Sequence, residues 1–471
     1  MKKFYLTTTL PYVNAEPHIG FALEIVEADV ICRHHRSHGE EVIFNTGTDE
    51  HGQKIYQKAL ENNQTPQEYC DIYAAKFAYL RDLLNLSYNH FIRTTDDYHI
   101  QAAQEFWRRS FANGDIYKSR YQVKYCVGCE LEKNDSELEN GRCPLHPKQE
   151  IELRDEENYF FRFSKYQQKL LEHYQNNPGF VQPASKQKEI IAFVQNGLKD
   201  FSISRLKNKM PWGIQVPDDP DHVMYVWFDA LINYVSTIGW PKDMEKFQQF
   251  WPVVQLAGKD NLRQQAAMWQ AMLFSAGLTP SQKILINGFI GVDGQKMSKS
   301  LGNVISPADL VEKYGQDATR FLLINLGTFA DDMDVTRDKL HVEYTANLAN
   351  GLGNLCSRVA KMAEKFELDN SQDLTSIGVS QEFLALMDDY QLTAALKNTL
   401  ELVANLDKYL AEQKPWQQEE ATRRITLLKT VAKILQIAKQ LESFMPQTAE
   451  LISSNFSQKK IKAMQPLFPR I

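Results

Sequence analysis

The sequence predicts an α/β protein in which a parallel-sheet nucleotide-binding fold is split by an insertion and followed by an α-helical bundle. Three observations carry this. The first 44 residues run strand, loop, helix, strand; strand-like segments resume only after about residue 223; and from about residue 337 apolar residues recur at helical spacing.

Residues 4–10, rich in Tyr, Phe, Leu and Thr, read as a buried strand. Pro11, Asn14 and Pro17 mark a turn, residues 18–36 a helix closed by Gly39, and residues 41–44 the next strand. No G-x-G-x-x-G and no Walker A pattern occurs, which sets aside the ordinary dinucleotide and P-loop folds. Residues 114–223 read as the insertion, with a cysteine cluster and a Glu-rich stretch. The sheet resumes with strands expected at 224–227, 253–257 and 284–290, and a helix at 264–274. Further on, Leu348, Leu352, Leu355, Val359, Met362 and Phe366 alternate spacings of four and three, and Leu428, Val431, Leu435, Ala438 and Leu441 form a similar stripe. The expected division is thus 1–113, 114–223, 224–336 and 337–471.

A chain of 471 residues exceeds what one hydrophobic core usually serves, and 43% hydrophobic with 24% charged residues is ordinary for a globular protein. No apolar run has the length of a membrane span, and the amino terminus runs straight into strand-like sequence, so a cytoplasmic protein with no membrane partner is expected. The net charge of -6 means that any nucleic-acid contact must rest on local basic patches. Of six cysteines, Cys126, Cys129 and Cys143 cluster while Cys32, Cys70 and Cys356 are single, which suits a metal site better than a disulfide framework. Cys126-x2-Cys129, thirteen intervening residues, then Cys143-x2-His146 is a Cys3His set in two knuckles. It suits one structural tetrahedral Zn2+, with every position filled by protein.

Pro17-His18-Ile19-Gly20 opens the first helix, where free backbone N–H groups and the helix dipole favour phosphate, Gly20 permits close approach, and His18 can donate to an oxygen. A histidine in such a place is by itself more often a hydrogen-bonding residue of the helix start. Lys296-Met297-Ser298-Lys299-Ser300 lies between a strand and the helix start Ser306-Pro307. Lys296 and Lys299 on such a loop can neutralise charge on departing pyrophosphate, although two lysines in isolation would more often be a solvated basic loop.

Together the two motifs resemble the class I aminoacyl-tRNA synthetases, whose pattern is H-I-G-H near the start and K-M-S-K-S much later. Within that class the chain is most similar to the methionyl-tRNA synthetases, over nearly its whole length. The matching stretches include residues 10–17, Gly47-Thr48-Asp49-Glu50-His51-Gly52, Tyr225-Val226-Trp227-Phe228-Asp229-Ala230 and Gly258-Lys259-Asp260. The resemblance implies a split Rossmann-like catalytic domain, a zinc-bearing connective insertion and an anticodon-binding helical bundle. The implied activity joins methionine, activated by ATP with Mg2+, to the 3′ end of tRNA(Met).

By the same resemblance Asp49 holds the substrate ammonium, and Leu10, Tyr12, Trp227 and Tyr234 wall the side-chain pocket. Aromatic and apolar contacts suit a flexible thioether, though Trp227 and Tyr234 would as readily be core aromatics. Gly258 and Asp260 match positions that meet the adenosine, and Asn354, Arg358 and Trp416 match positions that read the CAU anticodon by hydrogen bonding and stacking. The chain leaves the pattern twice: Phe21 stands for the second histidine of H-I-G-H, and Gln265 stands for a histidine of the methionine pocket, keeping both a donor and an acceptor. A branched-chain substrate would call for a large editing domain, for which the insertion is too short. A tRNA-binding paralogue without activity would not need the lysine loop or Asp49. The extra carboxy-terminal module of dimeric relatives is absent from the sequence, so a monomer is expected.

Overall fold

A computed structural model describes residues 1–129, 131–133, 137–292, 294–296, 304–327, 329, 332–368 and 378–471, the side chains of 121–123, 131, 132, 154–156 and 296 excepted. Two compact units divide the chain. One comprises Met1–Pro17, Glu41–Tyr79 and Tyr88–Ile286, the other His18–Glu40, Leu80–Ser87 and Asn287–Ile471.

The first unit holds a six-stranded sheet. Its strands are β1 (Lys3–Thr7), β2 (Glu41–Thr48), β3 (His90–Arg93), β4 (Val181–Gln182), β5 (Val254–Gly258) and β6 (Lys283–Asn287), in spatial order β3-β2-β1-β5-β6-β4. Leu6 lies opposite both Phe44 and Val254, and the β1–β2, β2–β3, β1–β5 and β6–β4 pairs all run parallel. Buried on both faces, such strands read as nearly continuous apolar runs, as Val-Gln-Leu-Ala-Gly does in β5. The chain leaves β1 for β2 on one side and reaches β5 on the other. The crevice beyond the carboxyl ends of β1, β2 and β5 is therefore the topological switch point where ligands bind in open α/β sheets. Gly47 in β2 has no substitute, because a Cβ there would lie 1.8 Å from the Ile92 carbonyl oxygen of β3.

The insertion forms an antiparallel sheet in which Ile116–Cys126 pairs with Glu152–Phe161, flanked by Leu131–Lys133 and Phe201–Ser202. Two expected strands are corrected. The strand ends at Met224, and Trp227 lies on a short helix, Val226–Ala230. The expected 284–290 strand breaks after Asn287, and Ile290–Val292 joins a separate small sheet with Gln295–Lys296 and Met333–Val335. The 264–274 helix begins with a π-helical turn, Gln264–Met268, before continuing as Trp269–Ser275. Beneath these elements Phe106 stacks on Trp269 at 5.8 Å and meets Phe228 and Trp240 edge-on, a rigid aromatic floor.

In the second unit the principal helices are α1 (Ile19–Ser37), α2 (Gln316–Asn325), α3 (Asn354–Ala363), α4 (Leu392–Gln413) and α5 (Glu420–Leu441). The stripe residues Leu348, Leu352, Leu355 and Val359 are buried, as periodicity requires, while Leu428 is only half-buried. Here α1 clusters with the carboxy-terminal helices. Its Asp29 is fully buried and forms a 2.7 Å ion pair with the equally buried Arg320 of α2, alongside Arg33 at 2.7 Å and the Ser87 N–H and hydroxyl at 2.6 Å. Arg320 also donates to the carbonyls of Leu84, Ser443 and Phe444 at 2.8–3.0 Å, so one guanidinium joins four segments. Burial would raise the Asp29 carboxyl, but Arg320 and Arg33 outweigh it and hold it below the usual carboxylate value. No described helix is long and apolar enough to cross a membrane.

Candidate functional site

Past the end of β1 the chain turns through Leu10, half-buried, to Tyr12, whose residue bridges in parallel to Asp49 beyond β2. Asp49 N–H donates to the Pro11 carbonyl at 3.0 Å and Val13 N–H to the Asp49 carbonyl at 3.4 Å, so the two segments extend the sheet by one step. The Asp49 side chain is buried, 3% exposed, which suits a carboxylate meant for one partner rather than for water. The Tyr12 and Trp227 rings meet edge to face at 6.3 Å. The indole N–H of Trp227 is buried and meets no acceptor among the described residues.

Tyr234, 2% exposed, stands edge-on to Trp269 at 5.7 Å, and Tyr5 donates to its carbonyl at 2.9 Å. Its hydroxyl accepts from the Gln265 amide at 2.7 Å, while the Gln265 oxygen accepts from Gln255 of β5 at 2.8 Å, and Ser281 donates to Gln255 at 2.5 Å. Gln265 is therefore satisfied on both sides of its amide and fixed in orientation, and the hydroxyl hydrogen of Tyr234 points away from it. Sequence reasoning missed Gln255, although a glutamine inside an apolar strand was a signal. The structure thus brings Tyr12, Asp49 and Trp227 together, and Tyr234 with Gln265. Gly258 ends β5, where an added Cβ would lie 2.8 Å from the carboxylate of Asp260, itself exposed on the following turn.

His18 is the N-cap of α1: its Nδ1 accepts from the Gly20 N–H at 3.0 Å. This local bond is the structural role that a lone histidine suggested, and in a neutral ring it leaves the proton on Nε2. Phe21 follows in the first turn, half-buried. Ile19 N–H donates to the Ile305 carbonyl at 3.2 Å, and Asn287 donates to the buried Glu27 of α1 at 2.5 Å. The segment that carries the lysines is thus tied to α1 before and after. Lys296 lies at the end of the short hairpin opposite Gly291, whereas Lys299, with the rest of 297–303, lies outside the described residues. Ser306 caps the next helix by accepting from Ala308 N–H, with Pro307 at its first position, as the sequence indicated.

Cys126, Cys129, Cys143 and His146 offer ligand atoms that all lie within 4.8 Å of one another, and form a group able to hold a metal ion. Cys129 Sγ is 3.4 Å from Cys143 Sγ and 3.2 Å from His146 Nδ1, and Cys126 Sγ is 3.8 Å from that nitrogen. Four ligands at zinc bond lengths of roughly 2.0–2.3 Å in a tetrahedron would be separated by about 3.3–3.8 Å, so the donor set and its spacing fit zinc. Gly128 is needed here, since a Cβ would sit 2.5 Å from the His146 ring.

In the helical unit Asn354 is exposed and Arg358, one turn later on α3, pairs with Asp407 of α4 at 2.6 Å. Past the end of α4, Lys414 takes the left-handed conformation and Pro415–Gln417 makes a single turn that leaves Trp416 48% exposed. Arg423 donates to the Pro415 and Gln418 carbonyls at 2.7 and 2.8 Å and fixes that turn. Asp407 is six residues from the end of α4, so Arg358 is anchored about 9 Å along the helix from the Trp416 turn.

The family described as "tRNA synthetases class I (M)" matches residues 4–150 and 129–360. A methionine–tRNA ligase of Thermotoga maritima is 40% identical over 469 residues, 95% of this chain and 74% of its own. One from Thermosynechococcus vestitus is 42% identical over 472 residues, covering 95% of this chain and 89% of its own. The Mycobacterium tuberculosis methionyl-tRNA synthetase solved in complex with methionyl-adenylate superposes with a TM-score of 0.90 at 35% identity, over 97% of this chain and 94% of that one. On fold and sequence together, the chain belongs to the class I aminoacyl-tRNA synthetase family, among the methionine–tRNA ligases.

Proposed function

We propose that the chain activates L-methionine with ATP, releasing pyrophosphate, and transfers the methionyl group to the 3′ end of tRNA(Met). The observation that carries the reading is the placement of Tyr12 beside both Asp49, through a backbone bridge, and the Trp227 ring, past the carboxyl ends of the strands at the switch point. Asp49 receives the ammonium. Leu10, Tyr12, Trp227 and Tyr234 surround the thioether, with Gln265 orienting the Tyr234 hydroxyl. The substrate carboxylate then attacks the α-phosphorus of ATP. Gly258 and Asp260 hold the adenosine, while His18, the backbone at Gly20, Lys296 and Lys299 take the phosphates and the charge that gathers on the leaving pyrophosphate. Magnesium accompanies the ATP. Asn354, Arg358 and Trp416 bind the anticodon loop, Trp416 by stacking. The four segments 1–113, 114–223, 224–336 and 337–471 are the corresponding functional modules of a cytoplasmic monomer.

Pyrophosphate exchange run with each of the twenty amino acids tests the assignment: methionine should be the best substrate by a wide margin. Another amino acid exchanging faster, or no exchange at all, would overturn it. Zinc is the proposed occupant of the Cys3His group. Freshly purified protein should carry about one zinc per chain, and Cys129→Ser should lose it and lower the melting temperature of the insertion. Full metal-free stability, measured by thermal unfolding after chelation, would remove the metal from the fold.

A further inference from the structure

The helix that presents Trp227 has five residues, too few to hold its own orientation, because nucleating one turn is unfavourable and such helices depend on tertiary contacts. What holds it is Asp229, completely buried, whose two oxygens face two imidazoles. His51 Nδ1 lies 2.7 Å from one and His99 Nε2 2.9 Å from the other. His99 is in turn 3.0 Å from the Ser236 hydroxyl, and the His51 ring packs at 5.4 Å against that of Trp212.

An ionised carboxylate only accepts, so both imidazoles must present N–H to it, and the arrangement fixes both tautomers. Burial would raise the Asp229 carboxyl, yet His51 and His99 outweigh it and hold it below the usual carboxylate value.

The placement in the chain gives this cluster its consequence. His51 stands two residues beyond Asp49, and Asp229 two residues beyond Trp227. At 100° per residue a helix puts positions i and i+2 about 200° apart, so seating Asp229 in the core turns Trp227 to the opposite side, toward Tyr12. The contacts then close on themselves: Tyr12 bridges to Asp49, the chain runs to His51, His51 bonds Asp229, and Trp227 returns to Tyr12.

From this circuit we propose that Asp229 is a positioning residue for methionine: through His51 and His99 it locks the segment bearing the ammonium-binding Asp49 to the helix bearing Trp227. The proposal rests on the methionine site described above and assigns it a support that none of its direct contacts supplies.

The test uses the full chain in pyrophosphate exchange with Asp229→Asn, His51→Ala and His51→Asn, each checked by thermal unfolding. Asparagine at 229 can accept from only one imidazole and turns its own N–H toward the other. Asparagine at 51 places an N–H near the position of the lost Nδ1. Asp229→Asn and His51→Ala should raise the methionine KM about tenfold or more and leave the ATP KM within about twofold, and His51→Asn should recover most of the loss. The proposal is overturned by an unchanged methionine KM in His51→Ala, by methionine and ATP KM rising together, or by His51→Asn behaving like His51→Ala. Should Asp229→Asn not fold, the two His51 variants decide. Absence of methionine-dependent exchange in the unaltered chain would overturn the functional reading itself, and the variant pattern separates that failure from this one.

Discussion

If Asp49 holds the ammonium as proposed, Asp49→Ala should lower kcat/KM for methionine by about 3 kcal/mol, roughly 100-fold, because truncating one partner of a buried charge pair leaves the other without compensation. Asp49 is 3% exposed and its backbone is pinned on both sides to the Pro11–Val13 segment, so neither water nor a shift of the chain can replace the missing carboxylate. The loss should be specific. The ATP KM should stay close to that of the unaltered chain, and an inhibitor with the methionine carbon skeleton but no amino group should bind both proteins about equally. If that inhibitor weakens as much as methionine does, Asp49 shapes the pocket rather than holding the ammonium.

The second large effect concerns stability. Arg320→Met removes the principal cation beside a fully buried carboxylate and abandons the carbonyls of Leu84, Asn85, Ser443 and Phe444 that the guanidinium serves, and breaking a buried pair in this way costs about 3–5 kcal/mol. The pH dependence gives the signature. In the unaltered chain the folded Asp29 carboxyl lies below its unfolded value, so its contribution is present above roughly pH 4 and is lost as pH falls through the lower, folded value. Without Arg320, burial dominates and the folded value rises, so the variant's deficit should narrow on acidification as Asp29 takes up a proton. Denaturant unfolding of both proteins between pH 4 and 8 measures this, and a deficit independent of pH would assign the loss to packing alone. Asp29→Asn combined with Arg320→Met should recover part of it.

How far these features could be read in the sequence depended on how local their signals are. The Cys3His group able to hold a metal sits in two knuckles with fixed spacing, and Ser306-Pro307 is a helix start complete in two residues, so both were legible. Trp227 was expected on a strand because Tyr-Val-Trp-Phe has strand propensity. It lies instead on a short helix whose Asp229 bonds two histidines, one of which is 178 residues away. The same separation hid the cluster itself: His51 and Asp229 each lie inside a family-like stretch, but nothing near either one names the other. The helix of residues 18–36 was legible from its turn signals and Gly39. Its membership of the carboxy-terminal unit was not, because that is decided by Arg320, 291 residues beyond Asp29. Lys299 remains a reading from the motif, since it lies outside the described residues.

The Arg320 junction also bears on how the protein can be taken apart. A chain ended after residue 336 would retain α1, Asp29 and Arg320 but lose the Ser443 and Phe444 carbonyls that receive two of the guanidinium's N–H groups. One ended before residue 316 would leave Asp29 with Arg33 as its sole remaining guanidinium partner among those described. The helical half is therefore no detachable appendage. The helix that opens with His18 depends on residues far downstream, and a fragment covering the sheet alone would carry its first helix unfinished.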